Sequence, residues 1–294
     1  MEKYLSTENL ERHSLGVKVI RIFTVPLLNN LPASLVQKMM KKSSKDASAV
    51  VERGGSTHAL EAMYSRHSRS IFSRGFWQGL ADSFWHHVIS QPKAIRNRLK
   101  IVELAIEKEL VKIISEKSVD TDPVRILNVG GGSSRAIMHV LNRIFQDHPN
   151  VQIKVTNIDK DARAIELGKK IAEQQKLGHC FEWINDDARN ISKLVSPESF
   201  DLVEMVGLLD YFQNDRGTQV IGQIYNALKV GGMFIVANVF PNSEMPFVYK
   251  TGWPKMYYKT PEDIRTILKQ SGFNAEPDIF TEPLKVHIIG VVRK

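Results

Sequence analysis

The sequence predicts an α/β protein: a doubly wound, largely parallel sheet preceded by an all-helical N-terminal region. Three observations carry that expectation. Residues 34–118 place apolar side chains at helical spacing, and beyond residue 121 short apolar runs alternate with helical patterns. Near-continuous apolar strands between helices belong to a sheet covered on both faces. Three successive glycines, Gly130, Gly131 and Gly132, close the first of those runs. In doubly wound sheets, ligands bind beyond the carboxyl ends of the strands.

Taken along the chain, the first segment of note is "SLGVKVIRIFTVPLLNNLPASLVQKMMKK". Lys18, Arg21, Pro26, Asn29, Asn30 and Pro32 interrupt it, so it falls short of the roughly 20 apolar residues of a membrane span. Residues 14–40 are therefore read as a core element, a lid, or a peripheral contact with a membrane interface. Next, "ALEAMYSRHSRSIFSRGFWQGLADSFWHHVI" spaces Tyr64, Phe72, Phe76, Leu80, Phe84 and Trp85 as a helix would. "KAIRNRLKIVELAIEKELVKIISEK" aligns Ile95, Leu99, Val102, Ile106, Leu110 and Ile113, with Pro92 suited to its first turn. "SVDTDPV" reads as a polar linker, which divides the chain into a helical region, 1–120, and a second domain, 121–294. In the second part strands are expected at "VRILNVG", "VQIKVTNID", "CFEWIND", "FDLVEMVG", "GMFIVANVF" and "VHIIGVVR", with helices at "RAIMHVLNRIFQD" and "DARAIELGKKIAEQQKLG".

The bulk composition bounds the class. The chain has 294 residues, 43% hydrophobic and 24% charged, as a soluble globular protein does. A single cysteine, Cys180, excludes an internal disulfide framework and fits a reducing, cytoplasmic setting. No cleavable signal peptide is evident in the first residues. Residues 1–120 hold 19 Lys/Arg against 12 Asp/Glu, whereas 121–294 hold 21 against 20, so the net charge of +8 belongs almost wholly to the N-terminal part. Such an excess marks either a surface that faces something anionic or a solvated helical face.

The glycine run does not complete a phosphate motif. Arg135 stands where the third glycine of G-x-G-x-x-G belongs, and no Lys-Ser/Thr follows to make a Walker A loop. What "ILNVGGGSS" resembles is motif I of the class I S-adenosylmethionine-dependent methyltransferases. The resemblance runs over about residues 120–294 and implies a Rossmann-like, seven-stranded sheet. In "VTNIDKDA", Asp159 stands where the family places an acid on the ribose hydroxyls; one carboxylate can accept from both. In "EWINDDARNI", Asp187-Ala188 matches the adenine-binding pair, with Asp186 as the neighbour that competes for the role. "SFDLVEMVGLLDYF" and "IYNALKVGGMFIVANVF" resemble the fourth and fifth strands with their turns. The family reading implies S-adenosylmethionine as cofactor, S-adenosylhomocysteine as product, and Asn128, Gly130, Gly131, Gly132, Ser134, Asp159, Asp187, Ala188, Val206 and Gly207 as cofactor-binding residues. One departure is Asn128, where an acid is usual.

Methyl transfer needs an aligned nucleophile, and a hydroxyl or amine acceptor needs a base. Glu204, Tyr211 and His86 are the catalytic candidates, with Asp210 alongside. Tyr64, Trp77, Trp85, Arg96, Asn238, Trp253 and Tyr257 are the substrate candidates; Arg96 or Arg98 would clamp a carboxylate. His67 joins the pool of helical-region residues. His86 and His87 cannot share one helix face. No metal-ligand spacing occurs, so a metal-free site is expected. An aromatic, apolar cap with basic helices suits O-methylation of a hydroxyl or carboxylate on a small, lipid-like or secondary-metabolite acceptor. The rivals are an RNA or peptide methyltransferase and a non-catalytic S-adenosylmethionine-binding regulator. Against nucleic acid, "EMVG" replaces an N-P-P-Y-type tetrapeptide.

Overall fold

The computed structural model describes residues 10–64, 75–116 and 122–294. The expectations for His67 and Phe72, and most of the linker with its boundary at 120/121, lie outside the described residues. The helical region comprises α1 (Leu15–Asn30), α2 (Ala33–Ser43), α3 (Lys45–Arg53), α4 (Thr57–Tyr64), α5 (Phe76–His87) and α6 (Ser90–Glu116). The remainder runs β1 (Val124–Val129), α7 (Arg135–Asp147), β2 (Ile153–Ile158), α8 (Ala162–Gln174), β3 (Phe181–Ile184), α9 (Ile191–Leu194) and β4 (Phe200–Val206). It continues with α10 (Asn214–Ala227), β5 (Leu228–Val239), α11 (Met245–Lys250), α12 (Pro261–Gln270), β6 (Asp278–Thr281) and β7 (His287–Arg293).

The strands form one seven-stranded sheet in the order β3-β2-β1-β4-β5-β7-β6. β1 to β5 are parallel, and β7 runs antiparallel between β5 and β6. The order reverses at β1 and β4, which opens the crevice where a ligand sits. Five of the six expected strands lie within two residues of their runs. The fifth strand starts four residues earlier, at Leu228, through the "LKVGG" turn. The seventh strand, β6, is four residues long with a half-exposed burial pattern. It has no apolar run to announce it and exists by pairing with β7.

Local rules account for the helices that position the site. Asp161 caps α8 by accepting from the Arg163 N–H at 3.0 Å. Thr260 and Asp263 form a reciprocal capping box on α12, with Pro261 at its first turn. α7 buries Ile137, Val140, Leu141 and Ile144 on one stripe. Ile101, Val102, Ala105, Ile106 and Leu110 of α6 join the same core as α7, β1 and β2. The long helix therefore reaches from the helical region into the layer that covers one face of the sheet. α9, α10 and α12 cover the other face. A third cluster joins α2, α3, α4 and α5 to Val239, Phe247, Val248 and Met256, beyond the carboxyl end of β5. The helical region is thereby seated over the ligand-binding edge. Among the described residues no helix is long and apolar enough to cross a membrane.

Candidate cofactor and acceptor site

The glycine loop leaves β1 with Gly130 and Gly132 in the left-handed region, at φ 64° and 53°. Ser134 is also left-handed, at φ 58°, and is the residue preceding α7. The middle glycine has a different reason. A Cβ at Gly131 would collide with Asn128 Nδ2 and Asn157 Oδ1, so the loop is closed against two buried amides. Asn128 donates from Nδ2 to Ser134 Oγ at 2.8 Å, which fixes the loop's far end. Asn157 lies opposite Asn128 in the β1–β2 register, is fully buried, and leaves Oδ1 without a partner. Asn128 thus holds the loop through its amide donor, whereas an ionised acid at this position would instead accept from the Ser134 hydroxyl.

Asp159 stands at the end of β2 and accepts the Gly132 N–H on Oδ2 at 2.8 Å and the Asp161 N–H on Oδ1 at 2.8 Å. Each oxygen keeps lone-pair capacity toward the cavity, which Asp159 lines. Asp187 and Ala188 line the same cavity, and Asp186 does not. Asp187 also caps the turn at Ala188–Asn190 and accepts from Arg189, whose hydrogen bond holds the carboxyl below the usual carboxylate range. Asp186 is turned inward to Asp187 N–H and Asn190. Val206 and Gly207 complete this wall.

The cavity holds about 530 Å³, and the helical region forms its opposite side. Tyr64, Trp85 and Trp253 line it, as do Ile95, Val102 and Met256. α4 is latched to the glycine loop: Arg135 donates from Nε to Glu61 Oε1 at 3.0 Å and from Nη2 to Glu61 Oε2. The same guanidinium lies over the Tyr64 ring at 5.3 Å. The residue that breaks the dinucleotide fingerprint is therefore the one that ties the helical region down.

On the β4 side, Glu204, Asp210 and Arg98 converge on the cavity with His287. Arg98 is 4% exposed and its Nε has no hydrogen-bond partner; Glu204 Oε2 and His287 Nδ1 are likewise unpartnered. Burial raises Glu204 to about 7, against the pull of Arg98. Burial raises Asp210 to about 6, although the Arg98 charge and the Val239 N–H, at 2.7 Å, oppose it. His287 is held well below its usual range, by burial and then by Arg98, and is neutral at pH 7. Tyr211 accepts from Trp253 Nε1 at 3.1 Å, and burial followed by the Asp210 charge raises its hydroxyl well above the ordinary tyrosine value. A phenol so raised keeps its proton and orients a partner rather than removing a proton.

Five sequence candidates stand elsewhere. His86 is 1% exposed outside the cavity lining, with Nε2 2.8 Å from Asp46 Oδ2 and Nδ1 3.3 Å from Arg96 Nη1. Arg96 is taken by Glu11, at 2.6 and 2.9 Å, and by the Met63 carbonyl. Trp77 is 78% exposed on α5. Asn238 is fully buried and donates from Nδ2 to the Val239 and Tyr257 carbonyls, holding the chain after β5. Tyr257, also outside the lining, contributes that carbonyl, while its ring faces Lys255 and Lys259. Asn157 and His287 were not singled out from the sequence. A lone Asn within the apolar run "VQIKVTNID" was the available signal for the first; nothing local signals the second. Among the described residues, no group of three or more His, Cys, Asp or Glu could hold a metal ion.

A doubly wound sheet with a glycine cradle after its first strand and an acid ending its second defines a nucleoside-binding α/β protein. Residues 126–232 match the family model described as a methyltransferase domain. Over that stretch, which runs from β1 into β5 and holds the glycine loop, Asp159 and Asp187, the chain is similar to S-adenosylmethionine-dependent methyltransferases. A curated relative, histamine N-methyltransferase of Xenopus tropicalis, is 24% identical over 180 residues, which is 57% of this chain and 60% of the relative. The match thus spans less than two thirds of that relative's length. Among solved structures, one described as a possible exported protein from Bordetella parapertussis superposes with a TM-score of 0.62 at 15% identity, over 90% of this chain and 97% of that one. Magnesium protoporphyrin IX methyltransferase from Synechocystis PCC 6803, with bound S-adenosylhomocysteine, gives 0.51 at 17% identity, over 71% and 89%. These likenesses establish the fold.

The residues present fit the cofactor of the family. Gly130, Gly131 and Gly132 line the cavity with bare backbone, where a ligand can approach the main chain closely. Asp159 and Asp187 offer two separate carboxylates along one cavity wall, as a ribose and an adenine amino group require.

Proposed function

We propose that the chain transfers the methyl group of S-adenosylmethionine to an oxygen of a small amphipathic acceptor that carries a carboxylate or a hydroxyl. The observation that carries this reading is Arg98: a buried guanidinium with an unpartnered Nε, beside Glu204 and Asp210, at the polar end of a largely apolar cavity. When bound, the cofactor supplies an electrophilic methyl group on its sulfonium. Asp159 and Asp187 hold the nucleoside, and the Asn128-braced loop gives close backbone approach. Arg98 draws an anionic oxygen of the acceptor into place by charge-assisted hydrogen bonds. Glu204, raised to about 7, is partly ionised at neutral pH and accepts the proton of a hydroxyl acceptor on its unpartnered Oε2. A carboxylate acceptor needs no such step. Tyr64, Trp85 and Trp253 pack the apolar body and exclude water.

The test is formation of S-adenosylhomocysteine with aromatic and aliphatic carboxylic acids, phenols and amines, in wild type and Arg98→Met. The reading expects turnover with acids or phenols. It expects the substitution to raise the acceptor KM by on the order of a hundredfold, as for loss of a buried charge-assisted pair, while the donor Kd changes little. A preference for amines would instead support N-methylation, the reading suggested by the resemblance to histamine N-methyltransferase.

A further inference from the structure

α1 is apolar on both sides. Its inner side buries Val25 and half-buries Val17 and Leu28, and is anchored by polar residues: Arg21 pairs with Glu244 and donates to the Val88 carbonyl at 2.6 Å. Asn29 bridges the Ser243 carbonyl and the Phe247 N–H, at 2.8 and 3.0 Å. Its outer side carries Leu15, Val19, Ile20, Ile22, Phe23 and Leu27, which are 48–80% exposed. A surface helix on a globular protein normally turns a polar face outward. α5 repeats the pattern: Phe76, Trp77, Leu80 and Phe84, 37–78% exposed, are all of its exposed residues. On α2, Leu35 and Met39 are 41% and 46% exposed. The three helices meet at a small depression of about 90 Å³ lined by Leu28, Met39 and Phe84, so these side chains form one neighbourhood. Exposed apolar patches of this extent mark interaction surfaces.

We propose that α1, α2 and α5 together dock on an anionic lipid bilayer. Charge decides the occupant. Residues 15–43 contain no Asp or Glu, and Lys18, Lys38, Lys41 and Lys42 are exposed beside the apolar side chains. Apolar side chains beside a lysine fringe with no acid suit insertion at the headgroup–acyl boundary of an anionic leaflet. A second copy of the chain would bring the same lysines face to face, which like-charge repulsion opposes. The depression is too small to seat a partner helix, whereas a bilayer needs no matching groove. Trp85 and Phe247 line both this depression and the main cavity, so the face lies directly behind the acceptor's wall. The inference does not depend on the proposed reaction.

The experiment is co-sedimentation of the full chain with phosphatidylcholine vesicles and with the same vesicles doped with phosphatidylglycerol, at low and high salt. Wild type should sediment with the anionic vesicles and release as salt rises. Ile22→Ser/Phe23→Ser, two exposed positions, should lower bound protein by at least about tenfold while S-adenosylmethionine titration is unchanged. Lys38→Glu/Lys41→Glu/Lys42→Glu should abolish the preference for phosphatidylglycerol. Wild type remaining in the supernatant with both vesicles would overturn the proposal, as would equal sedimentation of all three proteins. A wild-type dimer that Ile22→Ser/Phe23→Ser turns into a monomer would assign the face to a second copy, and would also overturn it.

Discussion

Replacing Glu204 with Gln tests the buried polar cluster through stability alone. Glu204 is 6% exposed, and burial raises its carboxyl from 4.5 to about 7. A carboxyl raised in the folded state binds its proton more tightly there than in the unfolded chain. Its contribution is therefore fully present below pH 4.5 and is lost as pH rises through about 7. Linkage converts that difference to a destabilisation of wild type of about 1 kcal/mol at pH 5 and about 3 kcal/mol by pH 8. Glu204→Gln keeps the shape and removes the ionisation. It should match wild type under acid and be more stable by up to about 3 kcal/mol at pH 8. Urea unfolding followed by tryptophan fluorescence at a series of pH values reads this directly. A stability difference that stays flat between pH 5 and 8, or a variant less stable than wild type at pH 8, would refute the reasoning.

Other expectations follow from the same geometry. The rate with a hydroxyl acceptor should rise through pH ~7 as Glu204 ionises, and initial rates of Glu204→Gln should lack that limb. Gly131→Ala drives a methyl group into Asn128 and Asn157; an overpacking cost of about 1–3 kcal/mol should raise the donor Kd by about tenfold or more, read by calorimetry. Arg135→Ala removes the latch to Glu61, two groups 29% and 20% exposed in their side chains. Global stability should fall by about 1 kcal/mol or less, and hydrogen exchange should show faster opening of α4.

Much of the fold was legible because parallel, doubly covered strands write themselves as apolar runs, and β1, β2 and β4 did so. β6 was not legible: "DIFT" is short and half-exposed, and its strand character comes from β7. The acidic wall of the cavity was legible for a similar reason, since Asp159 and Asp187 sit at fixed places relative to strand ends. The acceptor side was harder. Arg96 and Arg98 are two residues apart on one helix and point to different sides of it. Only the tertiary position of Glu11 claims the first and leaves the second in the cavity. His287 arrives from a strand near the chain's end, a closeness that no local pattern records. Trp77 misled because helical periodicity identifies an apolar face without saying that the face is buried, and on α1 and α5 it is turned outward.

The most direct test of the account is calorimetric titration of the purified chain with S-adenosylmethionine and S-adenosylhomocysteine, wild type beside Asp159→Ala, with folding of both checked by circular dichroism. The account predicts binding of both nucleosides with Kd on the order of micromolar, weakened at least about tenfold by the loss of a carboxylate that receives charge-assisted hydrogen bonds. A folded wild-type chain that binds neither, or a variant that binds both as tightly as wild type, would contradict it.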